Sequence, residues 1–253
     1  MSGIWRTNVT QGIPGWRLHI GLIFPSPLPA RLIREFYEVV PEGVDVTSVT
    51  LSVQQLGDND MREASKGIDQ ACKQLAAFNV DLIYFLGVPP IVLQGPGFDK
   101  VLAERMSQAS GLPAITDVTG VLQAIRHLDM KSVVLATPFE TVINERIKVY
   151  LQAEGIEVTH MIGLAMRKNA EIRRLPVSME YATARRAFME SSTRADGIYV
   201  ACGSWGSMHN IEPLERDLDT RLISWLNAFI WSSMRQGSVH APVSGFGRLL
   251  ASP

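Results

Sequence analysis

One cysteine stands where the sequence predicts a strand that runs directly into a loop. The run DGIYVA is short, apolar and rich in β-formers, and Cys202-Gly-Ser-Trp-Gly follows it. This pattern is typical of a buried parallel strand and the turn beyond it. A lone cysteine is more often a structural core residue, but ligands of open parallel sheets bind beyond the carboxyl ends of the strands. We therefore predict a functional thiol at Cys202, either a proton donor or a nucleophile.

Three further side chains have simpler interpretations. His209, seven residues after Cys202, could tune the thiol or act as an acid, but turn residues of this type are usually exposed, and we expect an exposed histidine. Trp205 either walls a ligand site or packs between two parts of the protein. Cys72 shares a helical stripe with Ile68 and Leu75, which predicts a core residue.

The strand and its turn have an earlier copy. The segment DLIYFLG ends at Gly87, which pairs with Cys202 at an offset of 115 residues (202 − 87). The segments GLIFP and VLATP end at Pro25 and Pro138, at an offset of 113 (138 − 25). Buried strands often look alike, but two matches in the same order indicate a duplicated α/β unit.

Composition excludes several classes of function. The 253 residues are 46% hydrophobic and 19% charged, with a net charge of −1, so neither nucleic acid nor an anionic membrane is an expected partner. No apolar run reaches the ~18 residues of a membrane span, and we expect a soluble, cytoplasmic protein. Two distant cysteines predict reduced thiols rather than a disulfide. We expect the acidic cluster 58–60 to cap a helix rather than to bind a metal.

Strands and helices alternate along the chain, which predicts parallel βαβ units. The predicted fold is α/β, with two pseudo-symmetric, helix-flanked four-stranded parallel sheets and an active site in the cleft between them. We assign 18–115 with 225–250 to the first half, 116–224 to the second half, and 1–17 to an N-terminal arm that could pack on a neighbouring subunit.

The predicted elements leave two segments without regular structure. The proline-rich stretch 87–96 is predicted as a loop, and 161–176 has no assignment, although a mobile loop over the cleft is plausible there. Strands are predicted at 18–24, 45–53, 81–86, 114–116, 132–136, 157–160, 196–201 and 221–224. Helices are predicted at 30–39, 61–78, 98–110, 118–128, 142–154, 179–191, 210–218 and 225–234.

Several segments together resemble a known superfamily. In chain order they are LHIGLIFPSP, QGPGFDKVLAERMSQASGLPAIT, VVLATPFETVINERI, GIYVACGSWGSMHNIEPLERDL and SGFGRLL. They are similar to the aspartate/glutamate racemase superfamily, and within it to the branch of maleate cis-trans isomerases and arylmalonate decarboxylases. The resemblance covers roughly residues 18 to 250. It implies two α/β halves, an active site between them and no cofactor.

The resemblance also implies a one-thiol reaction. Racemases of the superfamily place two cysteines on opposite faces of the substrate, because a proton must leave one face and return to the other. Here the first of these positions is Gly87 and the second is Cys202. Arylmalonate decarboxylases have the same glycine and cysteine, and their cysteine protonates an enediolate after carbon dioxide has left. Maleate isomerases use the first cysteine as a nucleophile, and this chain has Gly87 instead of that cysteine.

The sequence departs from the decarboxylases where negative charge is held. A Thr-Ser pair that donates hydrogen bonds to the intermediate is Val88-Pro89 here, a tyrosine is Phe139, and a proline is Ser26. Lost donors can cost a few kcal/mol each in the transition state. These changes favour a substrate that is less charged or differently oriented than a standard arylmalonate.

We therefore expect an enzyme that acts on a small carboxylate with Cys202 as its catalytic residue and with neither metal nor cofactor. The favoured reaction is decarboxylation. A cis-trans isomerase, lyase or racemase-like enzyme using the same cysteine and a catalytically silent small-acid binder remain as alternatives, and a homo-oligomer is left open. Residues expected to contact the substrate follow the strand ends of both halves: Pro25, Ser26, Gly87, Val88, Pro89, Thr137, Phe139, Gly203 and Ser204.

Overall fold

The computed structural model describes residues 13–51 and 58–252, without the side chains of 58–66. Most of the predicted N-terminal arm, residues 1–12, therefore lies outside the described residues, as does the end of the second predicted strand.

Two parallel four-stranded sheets form the framework. The strands are β1 Leu18–Phe24, β2 Val44–Thr50, β3 Leu82–Phe85, β4 Ala114–Thr116, β5 Ser132–Phe139, β6 Glu157–Met166, β7 Gly197–Val200 and β8 Arg221–Ser224. The first sheet has the order β2-β1-β3-β4 and the second the order β6-β5-β7-β8, so the two halves have the same topology. This confirms the predicted fold class and agrees with the duplication inferred from the repeated segments.

Helices flank both sheets, and their ends follow local sequence signals. Thr116 and Ser224 cap the helices Asp117–His127 and Trp225–Gln236 through their side chains, as expected of hydroxyl residues at an N-cap. The helix Phe98–Ser110 is followed by Gly111, whose φ of 74° favours glycine. The helices are α1 Ala30–Val39, α2 Asp58–Ala76, α3 Val88–Val92, α4 Phe98–Ser110, α5 Asp117–His127, α6 Thr141–Ala153, α7 Asn169–Ile172, α8 Val177–Glu190, α9 Ile211–Leu218, α10 Trp225–Gln236 and α11 Arg248–Ala251.

Three predictions of local structure were wrong. The stretch after Gly87 is not a loop throughout, because α3 begins at Val88 with prolines in its first turn, where the missing N–H groups have no intrahelical partner to lose. Strand β5 continues through Phe139, and β6 continues to Met166. The rest of the unassigned segment contains α7.

The four central strands are almost entirely buried, since helices cover both faces of each sheet. Their sequences are correspondingly continuous apolar runs. Helices α5 and α10 pack against each other, and α5 also contacts β4 of the first sheet and β8 of the second. In the described part of the chain, no helix is long and apolar enough to cross a membrane.

Candidate active site

The central strands of each sheet end at a topological switch point. Strand β1 pairs with β2 on one side and with β3 on the other. In the second sheet, β5 pairs in the same way with β6 and β7. Loops leaving such a point diverge and open a crevice. Residues after β1, β3 and β7 line one cleft together with the end of β5, so the sheets place their switch points against a common space.

This cleft and the open solvent at its mouth together span about 370 Å³ that no protein atom fills. Its wall is mostly apolar. Eight of the nine residues predicted to contact substrate line it together with Cys202, and Thr137 is the exception. The lining residues are Phe24, Pro25, Ser26, Leu86, Gly87, Val88, Pro89, Pro90, Phe139, Asn169, Cys202, Gly203 and Ser204.

Cys202 is held firmly at the end of its strand. Cys202 is only 4% exposed. Its backbone φ of 155° is a value that residues with a Cβ rarely adopt. The N–H of Ser204 donates to its Sγ at 3.4 Å, and the N–H of Trp205 donates to its carbonyl oxygen at 3.2 Å. The tight turn thus aims backbone donors at the thiol.

Burial raises the pKa of the Cys202 thiol to about 12. Hydrogen bonds from Ser204 and Trp205 and the charge of Arg173 lower this pKa, while the charge of Asp117 raises it, and desolvation outweighs all of these. At neutral pH the group is therefore the protonated thiol. That form donates a proton, whereas nucleophilic attack needs the thiolate.

Gly87 is in close contact with Pro25. Its φ of −178° is ordinary extended backbone, but a Cβ at this position would come 2.6 Å from Pro25 Cγ. On the opposite half, a Cβ on Gly203 would come 2.8 Å from Phe24 Cε2. Gly203 therefore permits the two halves of the site to approach closely, and Gly87 permits two strand ends of the first half to do so.

Thr137 does not line the cleft, contrary to its predicted role as a substrate contact. It is fully buried, and its hydroxyl donates to Asn144 Oδ1 at 2.6 Å and accepts from the N–H of Phe139 at 3.0 Å. The hydroxyl is used within its own half, to fix the end of β5. The ring of Phe139 is thereby positioned in the wall of the cleft.

Two residues of the unassigned segment reach the site. Asn169, the first residue of α7, lines the cleft. Arg173, immediately after that helix, donates from Nη2 to Ser26 Oγ at 2.9 Å. Sequence reasoning missed both, because the four-residue α7 has no apolar periodicity.

Asp117 is a buried acid beneath the site. Desolvation raises its pKa to about 8, although hydrogen bonds from the N–H groups of Val118 and Gly87 oppose the shift. Among the described residues its Oδ1 has no hydrogen-bond partner. Asp117 therefore accepts a hydrogen bond from the N–H of Gly87, and its charge raises the pKa of Cys202.

Two buried carboxylates hold the loop that follows Cys202. Glu35 of α1 accepts from Ser207 Oγ and the N–H of Met208, both at 2.8 Å. Glu180 of α8 accepts from the N–H of Ser207 at 2.9 Å. Burial raises the pKa of Glu180 to about 7, against hydrogen bonds from Asn210 and Ser207. Carboxylates from both halves thus converge on one turn.

The other residues considered in the sequence, His209, Trp205 and Cys72, do not line the cleft. His209 is an exposed histidine, as expected, and its Nε2 lies 3.0 Å from Glu38 Oε2. Trp205 is fully buried, and its carbonyl accepts from Trp225 Nε1 at 2.7 Å. Cys72 is a core residue, as predicted. No group of three or more metal-ligating side chains occurs among the residues whose positions are described.

A match to a family model places the chain in the aspartate/glutamate racemase-like superfamily. The arylmalonate decarboxylase family model matches residues 20–250, and the chain belongs to this family. This confirms the resemblance found in the sequence and makes the protein a member of an enzyme family.

Individual relatives carry two different activities. The chain is 27% identical to the arylmalonate decarboxylase of Bordetella bronchiseptica over 83% of its length and 81% of the relative's. It is 22% identical to the maleate isomerase of Geobacillus stearothermophilus over 92% of its length and 96% of the relative's. A crystal structure of a mutant arylmalonate decarboxylase in the liganded form has a TM-score of 0.84 and 24% identity, covering 92% of this chain and 98% of that one.

Proposed function

We propose that this protein is a cofactor-independent decarboxylase of a malonate-like carboxylic acid, in which Cys202 protonates the enediolate intermediate. The main support is the pairing of one buried, protonated thiol with a glycine at the corresponding strand end. Cys202 and Gly87 line the same cleft. The second half therefore offers the substrate a thiol as proton donor, and at the corresponding position the first half offers no side chain.

The reaction balances without a cofactor. The bond between the α-carbon and one carboxylate breaks, carbon dioxide leaves, and the electron pair remains as an enediolate on the retained carboxylate. The α-carbon then takes the proton from Cys202 Sγ. The resulting thiolate regains a proton from water as the product leaves, which a pKa of about 12 strongly favours.

The apolar wall supports this direction of reaction. Leu86, Val88, Pro89 and Phe139 offer a departing carboxylate no side-chain hydrogen bond. A carboxylate against such a wall loses hydration, and it becomes neutral carbon dioxide when it leaves. The replacements of hydroxyl residues at Val88, Pro89 and Phe139 therefore fit a place for the leaving group.

A maleate-type isomerase, a lyase or a racemase-like enzyme is the main alternative, since isomerases are among the relatives. The two-thiol routes need a second thiol across the substrate. Within the described lining, Cys202 is the one thiol, and the side-chain hydroxyls are those of Ser26 and Ser204. One-thiol decarboxylation therefore agrees better with the site, and a silent small-acid binder is the remaining alternative.

The test is deuterium incorporation followed by NMR. Wild type, Cys202→Ala and Cys72→Ala are incubated in deuterated buffer with phenylmalonate, methylphenylmalonate, maleate and 2-phenylpropionate. We expect carbon dioxide and one α-deuterium from a malonate, a loss of about 10²-fold or more in Cys202→Ala, and no loss in the control, whose thiol is also buried. Conversion of maleate to fumarate without carbon dioxide would establish the isomerase instead. Chemical-shift changes on binding without any turnover would establish the silent binder.

A further inference from the structure

The cleft has no charged side chain in its described lining. A carboxylate that enters it leaves water, and this costs several kcal/mol unless a cation or an array of donors receives it. The side chains of Val88, Pro89 and Phe139 carry no hydrogen-bond donor, and the polar side chains of the lining are those of Ser26, Asn169 and Ser204 beside the Cys202 thiol. A cation near these groups would compensate the charge of the retained carboxylate.

Arg173 is not itself among the lining residues, but it is the cation that lies directly behind Ser26 of the lining. It is half-buried, and its Nη2 donates to Ser26 Oγ at 2.9 Å. Ser26 lines the cleft. The charge of Arg173 acts on the Cys202 thiol, which places the guanidinium near the reacting centre. Ser26 belongs to the first half and Arg173 to the second, so the contact spans the cleft.

The donors of Arg173 are incompletely used. Its Nε is buried but has no hydrogen-bond partner within the described part of the chain. Burial lowers the pKa of Arg173 and the Cys202 group raises it, and among the described residues no carboxylate forms a salt bridge with the guanidinium. An arginine that served only to tie the halves together would be expected to pair with a buried acid.

The geometry of a guanidinium makes this arrangement suitable for a carboxylate. The Nε–H and one Nη2–H point in the same direction and form an edge that matches two carboxylate oxygens. Arg173 uses Nη2 for Ser26 and leaves Nε without a partner. A carboxylate on this edge would receive a charged, bidentate interaction and could also accept from Ser26.

We propose that Arg173 binds the carboxylate that the substrate retains, and that it determines specificity for substrates with a free carboxylate at that position. The inference builds on the proposed decarboxylase. It assigns the substrate a geminal dicarboxylate whose retained group lies at Arg173 and Ser26, and whose leaving group faces the apolar wall. Arg173 would also stabilise the enediolate and the Cys202 thiolate, because both carry negative charge near the guanidinium.

The experiment compares Arg173→Gln and Arg173→Lys with Arg174→Gln, which removes the exposed neighbouring arginine. Turnover of phenylmalonate gives KM and kcat separately. Binding of phenylacetate and of phenylacetamide, followed by NMR shifts, gives affinities for two probes that differ mainly in charge. We expect Arg173→Gln to weaken phenylacetate binding and raise KM by roughly 10- to 100-fold, with little change for phenylacetamide. Lysine restores charge but not the fork, so its effect should be intermediate.

The outcomes separate this inference from the proposed function. If wild type decarboxylates phenylmalonate and Arg173→Gln retains its KM, its kcat and its affinity for phenylacetate, the carboxylate anchor is wrong while the decarboxylase stands. If no malonate turns over but Arg173→Gln selectively loses phenylacetate, the anchor stands without the decarboxylase. Equal losses for phenylacetate and phenylacetamide would show a structural tie instead, and wild type that binds neither probe and turns over no malonate would overturn both proposals.

Discussion

Gly87 lies two residues after β3 of the first sheet, and Cys202 lies two residues after β7, the corresponding strand of the second sheet. The two residues line one cleft. Their halves share one topology, so the two positions are related by the pseudo-symmetry of the fold. The site is chemically asymmetric on a symmetric framework, with a thiol on one side and no side chain on the other.

Restoring the second thiol should turn this asymmetry into racemisation. A Cβ at position 87 would come 2.6 Å from Pro25 Cγ, so we expect Gly87→Cys alone to lower the thermal midpoint by several degrees through overpacking. Adding Pro25→Ala should recover most of that loss. The double variant should exchange the α-proton of 2-phenylpropionate for deuterium and racemise it, which chiral chromatography measures. A well-folded double variant that still decarboxylates but never racemises would contradict the facing arrangement.

Cys202 should alkylate very slowly at neutral pH. A pKa of about 12 leaves about one thiolate in 10⁵ at pH 7, so iodoacetamide labelling should rise about tenfold per pH unit as far as the fold survives. Burial raises the pKa of Cys72 to about 11, and it provides an internal comparison on the same mass spectra. Rapid labelling of Cys202 in the folded protein at pH 7 would show a thiolate and would favour a nucleophilic role.

Glu180 should make stability depend on pH. Its pKa is raised from 4.5 to about 7 in the folded protein, so the folded state binds more protons than the unfolded one between these values. Its contribution is fully present below pH 4.5 and is lost as pH rises through about 7. We expect the free energy of unfolding of Glu180→Gln to fall less from pH 5 to pH 8, by on the order of 2 kcal/mol, as measured by urea denaturation. Parallel profiles for the two proteins would contradict the assignment.

The sequence predicted the parts of this site that follow local rules. Gly87 and Cys202 end apolar runs, and the ends of parallel strands meet at one edge whatever the loops do. Gly111 and Thr116 similarly mark helix ends by backbone preference and side-chain capping.

The parts that depend on tertiary packing were not predictable. Arg173 is one of many basic residues in the sequence, and its contact with Ser26 joins positions 147 residues apart. Thr137 has the residue type and strand-end position of a substrate contact, but its hydroxyl turns inward to Asn144. Prolines in a first helical turn read as loop signals although that position tolerates them.

Asp117 should limit activity and stability at alkaline pH. Its pKa of about 8 keeps it neutral at pH 7, and its ionisation raises the pKa of Cys202 and opposes negative charge on the intermediate. Because the folded pKa is raised from 3.8, the stabilisation it provides is present below about pH 4 and is lost as pH rises through 8. We expect kcat for the malonate to fall by up to about tenfold from pH 7 to pH 9 in the wild type.

Asp117→Asn has nearly the same shape and cannot ionise, so its kcat and its thermal midpoint should change less over that interval. Asp196→Asn is the matched control. Hydrogen bonds from Lys131 and Ser132 lower the pKa of this partly buried aspartate, so its carboxylate stays ionised across the range. An alkaline loss of kcat that persists unchanged in Asp117→Asn would place the titrating group elsewhere. If the loss disappears in Asp117→Asn and remains in Asp196→Asn, the buried acid sets the alkaline limit of the enzyme through the charge it places beside Cys202.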